Sequence, residues 1–282
     1  MYTLIIQNKY GQQLELTHNT AYSITDIDGL QPSDAIINST KNANADGSVY
    51  NSSYTDDKTI IITMAINAPV ELNRINLYRY FKSKFPVRLF YKNNTRDVYI
   101  DGYVQRVQIG FFDKKQTVQI TIFCPEPYFK SVDDLYQDFA NVESLFEFPF
   151  DIEAEGVEFS MIDPNTEQSI INGGDVDTGV IISIHATGPV ITPKIYNVDT
   201  GESMIIDVTM ADGDDILIDT RRNRKGIHLT SNGVTTNLIG DLADGSTWFQ
   251  LIPGDNLFAV TADATPENMQ VSFTVTELFE GV

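Results

Sequence analysis

Apolar and polar residues alternate along most of this chain, and the alternation predicts strands. In the first half they fall at Met1–Gln7, Gln13–Leu16, Tyr22–Ile27, Thr59–Ile66, Val87–Tyr91, Val98–Ile109 and Thr117–Phe123. Ile60, Ile62, Met64 and Ile66 share one phase, as do Val118, Ile120, Ile122 and Cys124. In Val98–Ile109 the phase slips: Val98, Ile100 and Val104 are even, Val107 and Ile109 odd. A bulge near Gln105–Arg106 repairs such a slip. One stretch has the helical period instead. Pro69 suits a first turn, Leu72, Ile75, Tyr78, Phe81 and Phe85 recur at three and four, and Pro86 ends the run.

The two prolines of Cys124–Phe129 stop the strand pairing, since each lacks a ladder donor. Lys130–Val142 reads as a polar connector, and Phe146–Phe150 as an apolar entry into a second domain. Beyond it Val180, Ile182 and Ile184 alternate, then Met204, Ile206 and Val208, then Met269, Val271, Phe273 and Val275. Turn signals separate them at Asn197–Gly201, Ala211–Asp214, Ser231–Gly233 and Pro253–Asn256. The fold class is therefore mainly β: an N-terminal β-sandwich or barrel-like domain with one helix, then a C-terminal β-sandwich of jelly-roll type. Lys41–Lys58, rich in Asn, Asp, Ser and Gly, reads as a long polar loop.

Charge sharpens the division. The net charge over 282 residues is −20. Residues 1–150 carry 14 Lys/Arg against 17 Asp/Glu, and residues 151–282 carry 5 against 22. The second half, near −17, repels phosphate backbones and excludes sequence-independent nucleic-acid binding there. With the length, this predicts two domains, 1–135 and 136–282. The start lacks the pattern of a secretory signal, and no apolar run reaches the roughly 18 residues of a spanning helix. The lone cysteine, Cys124, excludes an internal disulfide and, sitting in an apolar phase, reads as a buried inert thiol.

Catalytic constellations do not emerge: the chain has no G-x-S-x-G elbow, phosphate loop or H-E-x-x-H. Asp175–Gly179 lacks the closing ligands of a calcium loop, and both it and Asp212–Asp215 read as turns. His185 and His228 fall on polar strand phases. No catalytic, metal or cofactor residue is assigned. Two basic groups read as contact candidates. Arg74, Arg79, Lys82 and Lys84 lie on the helix, flanking its apolar face, and read either as a solvated helix face or as cations that meet a neighbour's Asp56, Asp57, Asp97 or Asp101. Arg221, Arg222, Arg224 and Lys225 hold four of the second half's five positive charges in one turn. That turn is either a solvated tip or a dock for an acidic surface or phosphate polymer. Phe111 and Phe112 sit at a predicted hairpin tip, either folded back on the sheet or meeting another chain.

In the first half, Glu71–Tyr91, the strand Tyr99-Ile100-Asp101-Gly102-Tyr103-Val104 and the Cys124–Phe129 close stand in order. In the second half come Phe146–Phe150, Asn172-Gly173-Gly174-Asp175, Ile184–Gly188, Pro193, Asn197–Gly201, Ile216–Thr220 and Leu251–Asn256. Together they resemble the distal tail proteins of phages with long non-contractile tails. The resemblance implies a virion protein of the tail tip, made in the host bacterial cytoplasm. Its first domain builds a ring of six copies around a DNA channel, and its second is a galectin-like sandwich on the outside. The implied partners are further copies of the chain, the tail tube protein, the tail-associated hub protein and receptor-binding or baseplate proteins. DNA passes without sequence-specific binding. The family carries no catalytic residues and no cofactor. The alternative function is a carbohydrate- or receptor-binding module of the tail. A fragment ending near residue 135 is expected to form rings, and 146–282 alone to stay monomeric.

Overall fold

In the computed structural model, residues 2–42, 46–111, 115–139, 142–144, 160–162 and 167–282 are described. The chain divides into two compact units, 1–132 with 278–282, and 133–277. The second unit begins close to the expected boundary, but the last five residues belong to the first.

The first unit is built on one antiparallel sheet. Its strands in chain order are β1 (Thr3–Asn8), β2 (Gln13–Glu15), β3 (Tyr22–Asp28), β4 (Ala35–Lys41), β5 (Ser48–Thr55), β6 (Lys58–Ile66), β7 (Pro86–Lys92), β8 (Asp97–Ile109), β9 (Thr117–Cys124) and β10 (Phe129–Ser131). The spatial order is β2-β1-β7-β8-β9-β6-β3, and β10 joins on β8. Alternation puts Leu4, Ile6, Ile60, Ile62, Met64, Leu89, Ile100, Ile120 and Ile122 into one core. Each such side chain contributes about 1.5–3 kcal/mol. Gly102 faces inward, where a Cβ would lie 2.6 Å from Ile122 Cγ2 and 2.8 Å from Cys124 Sγ. That explains the glycine in the Tyr99–Val104 strand. The expected bulge is present: against β9 the register of β8 shifts between Val104 and Arg106.

The helix differs from its predicted form. α1 runs Val70–Tyr80 and turns Leu77 and then Phe81 to the core, with Val70 packed beside them. Leu72 is 66% and Ile75 48% exposed. The five apolar positions predicted at helical spacing, Leu72, Ile75, Tyr78, Phe81 and Phe85, therefore do not all share the buried face. The chain leaves the helix before Pro86, and Lys84 takes a left-handed φ of 71°. Nor do the described residues of 41–58 form one loop: Lys41 ends β4, Ser48–Thr55 form β5 and Lys58 opens β6. β4 and β5 form a two-stranded ribbon that, among the described residues, pairs with no other strand.

Nor is 130–142 a free connector, since Lys130 and Ser131 lie in β10 and β11 (Leu135–Phe139) pairs in the second unit. That unit continues through β12 (Val142–Ser144), β13 (Ser160–Ile162), β14 (Glu167–Asn172), β15 (Val180–Ala186), β16 (Val190–Asn197), β17 (Ser203–Ile205), β18 (Thr209–Met210), β19 (Asp215–Asp219), β20 (Gly226–Ser231), β21 (Val234–Asn237), β22 (Gly254–Ala264) and β23 (Met269–Val275). β12 pairs with β13 alone. Two larger antiparallel sheets, β11-β23-β15-β19-β20-β21 and β14-β22-β16-β17 with β18 on β16, share one core. Ile182, Ile184, Val271 and Phe273 come from the first sheet, and Ile170, Ile195, Met204 and Phe258 from the second. The predicted alternation is thus a two-sheet sandwich. Phe146–Phe150 lies outside the described residues.

The chain returns to the first unit as β24 (Leu278–Phe279), which pairs with β10: Phe129 faces Phe279 and Lys130 faces Leu278. The buried Lys58 Nζ donates to the carbonyls of Gln31 at 2.8 Å and Glu280 at 2.9 Å. Val282 N donates to Leu30 O at 3.1 Å.

Candidate assembly surfaces

In the β4–β5 ribbon every position is exposed but Thr55, which is partly covered. It carries apolar side chains on both faces. Ile36 stands opposite Tyr54 on one face, and Ile37 opposite Ser53 on the other. The Tyr50 hydroxyl lies 2.8 Å from Ser53 Oγ, which puts Tyr50 on the Ile37 face. Polar rungs hold the strands together, Asn38 Nδ2 to Ser52 Oγ at 3.1 Å and Asn51 Nδ2 to Thr40 Oγ1 at 2.8 Å. An isolated two-stranded ribbon is marginal in water, and this one has exposed apolar side chains on both faces. Sequence reading missed it because its apolar residues keep no single phase. Asp46-Gly47, with Gly47 at φ 93°, was the available hairpin signal.

Helix α1 supplies a second surface. Leu72, Ile75 and Arg79 form its outward stripe, at spacings of three and four, and Lys82 follows just past its end. Arg79, Lys82 and Lys84 are exposed, as expected of contact candidates, although the two lysines lie beyond the helix. Lys82 Nζ stands 5.7 Å from the Phe85 ring. Arg74 is different. It forms an ion pair with Glu71, donates to Tyr78 Oη at 3.0 Å and lies 5.1 Å from the Phe111 ring. Its charge is used inside the chain. Two of the acids expected to receive these cations are also engaged within their own chain, Asp97 with Lys92 and Asp101 with Arg88. Asp56 and Asp57 stay exposed at the root of the arm, with Asp34 beside them. Phe111 is 53% exposed, with Arg74 over its ring; Phe112 lies outside the described residues.

In the second unit the basic turn splits. Arg221 binds Asp219 through Nε at 2.9 Å and Nη2 at 2.7 Å. Burial alone would raise the Asp219 pKa, but these bonds from Arg221 bring it below the usual carboxylate value. Arg222 and Arg224 are exposed, and Lys225 Nζ stands 5.6 Å from the Trp248 ring. Trp248 packs against the core and offers no open aromatic platform. His185 Nδ1 lies 2.7 Å from Asp215 Oδ1 on the outer face of β15 and β19. Asp214, in the Asp212–Asp215 turn, accepts from Ala211 N at 2.8 Å.

Comparison with known families covers both units. Residues 9–124 match the phage tail protein RIFT-related domain, and residues 173–276 match the C-terminal domain of the siphovirus-type tail component. The chain belongs to the siphovirus-type tail component family. Its place is therefore a phage tail. Searched against curated proteins, the sequence finds no match. Among solved structures, the Dit protein of SPP1, described as a paradigm of the hub adsorption apparatus in phages infecting Gram-positive hosts, aligns at TM-score 0.71 with 12% identity over 99% of each chain. Chains of the phage P2 baseplate in its activated conformation align over 100% of both chains at 12% identity, with TM-scores of 0.55 for the calcium form and 0.53 for the strontium form. At these identities the likeness is one of fold.

The motifs that carried the resemblance to this family have structural work. Asn172 is buried, donates to the carbonyls of Val176 and Leu251, both at 3.0 Å, and accepts from Gly174 N at 3.0 Å. Asn197 accepts from Asp199 N and Thr200 N at 3.1 Å, and Asn256 from Ile252 N at 2.9 Å. Each is a short amide satisfying backbone groups in a tight turn. A Cβ on Gly179 would sit 2.4 Å from the Arg221 Cα. These motif residues therefore serve the turns and close packing of the sandwich.

Proposed function

We propose that this chain is the structural hub of a phage tail tip, where copies of its first unit form a closed ring, six in number. The observation that carries this reading is the arm, a ribbon whose apolar side chains are exposed among the described residues. The near-neutral charge of the first half allows copies to pack, whereas second halves near −17 would repel across a shared interface. The ring joins the tail tube, through which DNA passes, to the tail-associated hub and the receptor-binding baseplate proteins. The family match and the likeness in fold to hub and baseplate chains support that placement. The role is architectural: binding surfaces do the work and no reaction is assigned. Electron microscopy of the purified full chain, alone and with tail tubes, tests the proposal. Six-fold rings, free or capping the tube, are expected. A chain that stays monomeric in both settings overturns it.

A further inference from the structure

We infer that the arm of one copy docks on the outward face of helix α1 of a second copy. This rests on the ring reading and specifies its contact. The arm carries Ile36, Ile37, Val49, Tyr50 and Tyr54 into solvent and buries none of them against its own chain. The helix presents Leu72 and Ile75 on the face opposite Leu77, so its inward side is packed while its outward side is apolar and open. These are two halves of an interface left exposed on one molecule.

Charge settles which surface covers which. The helix stripe ends in Arg79 and Lys82, with Lys84 beyond, and among the described residues none of the three takes an ion pair. The arm is rooted in Asp34, Asp56 and Asp57, all exposed and equally without an ion pair among the described residues. An apolar ribbon with an acidic root fits an apolar stripe with a basic end, whereas helix on helix would bring like charges together; on the arm the cation Lys41 stands at the far end of β4 from that root. Because arm and helix are different patches, the contact is head-to-tail. Head-to-tail contacts give rings when the rotation closes.

The test uses two full-length variants. One, Leu72→Ser with Ile75→Ser, spoils the helix face; the other, Tyr50→Ser with Tyr54→Ser, spoils the arm. All four positions are exposed, so both variants should melt as the wild type does, and the melts verify it. In sedimentation each variant alone is expected to stay monomeric under conditions where the wild type forms rings. An equal mixture is expected to stop at dimers, because only one of the two arm–helix contacts between unlike copies is intact. Rings from the helix variant alone, rings from the mixture, or failure of the mixture to dimerise would each overturn the inference while the ring itself stands. A wild type that never assembles removes the ring reading, and this contact with it. A charge swap gives a second readout. Arg79→Glu with Lys82→Glu should weaken rings at least tenfold, and Asp56→Lys with Asp57→Lys in the same chain should restore them; no restoration counts against the pairing.

Discussion

Cys124 shows how far a single phase can be read. It continues the Val118, Ile120, Ile122 series, has no exposed surface, and lies beside the inward Gly102. Burial pushes its thiol up to about 12, with Lys58 pulling the other way. At pH 8 that leaves roughly one thiolate in ten thousand, and the thiolate is the nucleophile. Native protein should therefore label with a thiol reagent only as fast as the first unit opens, and fully in denaturant; labelling within the mixing time would contradict this. Asp219 gives a pH-dependent counterpart. Its pKa is lowered in the folded state, so the unfolded chain binds the proton more tightly. The stabilisation is present at neutral pH and is lost as pH falls below about 4. Asp219→Asn should cost about 1 kcal/mol at pH 7 and less at pH 3. Thermal melts at both values measure it, and an equal difference at both would mean that the contribution is not electrostatic.

At the scale of elements, legibility followed what each pattern has to satisfy. The strands β6, β7, β8 and β9 were readable because each alternation has to serve one buried face of a sheet. Even the bulge in β8 was readable, since a slipped phase has few physical repairs. The helix was legible as a helix but not in its orientation. Its apolar residues occupy more than one face, and no local rule decides between Leu72–Ile75 and Leu77–Phe81. The arm was illegible because its apolar residues fall on both faces and keep no single phase. Of the contact candidates on the helix, Arg79 and Lys82 face out, while Arg74 is held by Glu71 and Tyr78. Truncation separates the two faces quantitatively. Leu77→Ala should cost about 2–5 kcal/mol in the monomer, as a core deletion. Leu72→Ala should stay within about 0.5 kcal/mol. Chemical denaturation of the two variants checks this, and equal losses would show that Leu72 is buried after all.

For the whole molecule, the return of residues 278–282 changes what a fragment should do. Charge and composition alone suggested that the chain could be cut near 135 to leave an assembling first domain. The structure places β24 against β10, sets Phe279 under the Arg96 guanidinium at 4.2 Å, and completes the acceptors of Lys58 with the Glu280 carbonyl. Burial lowers the Lys58 pKa below the usual lysine value, so each carbonyl that holds its protons matters. A chain ending at 132 keeps the lysine, loses one acceptor and leaves β10 with an open edge. It should be less stable than the first unit of the full chain, and rings from it should be scarce even if the arm and helix are intact. Because β10 and β24 are antiparallel neighbours, the remedy is a hairpin. Residues 1–132 joined through a turn of about two to four residues to 278–282 should recover the melting midpoint and the capacity to assemble. Unfolding curves of the bare fragment, the joined fragment and the full chain decide the matter. If the bare fragment melts as high as the joined one, the terminal strand is decoration and the first unit is complete without it.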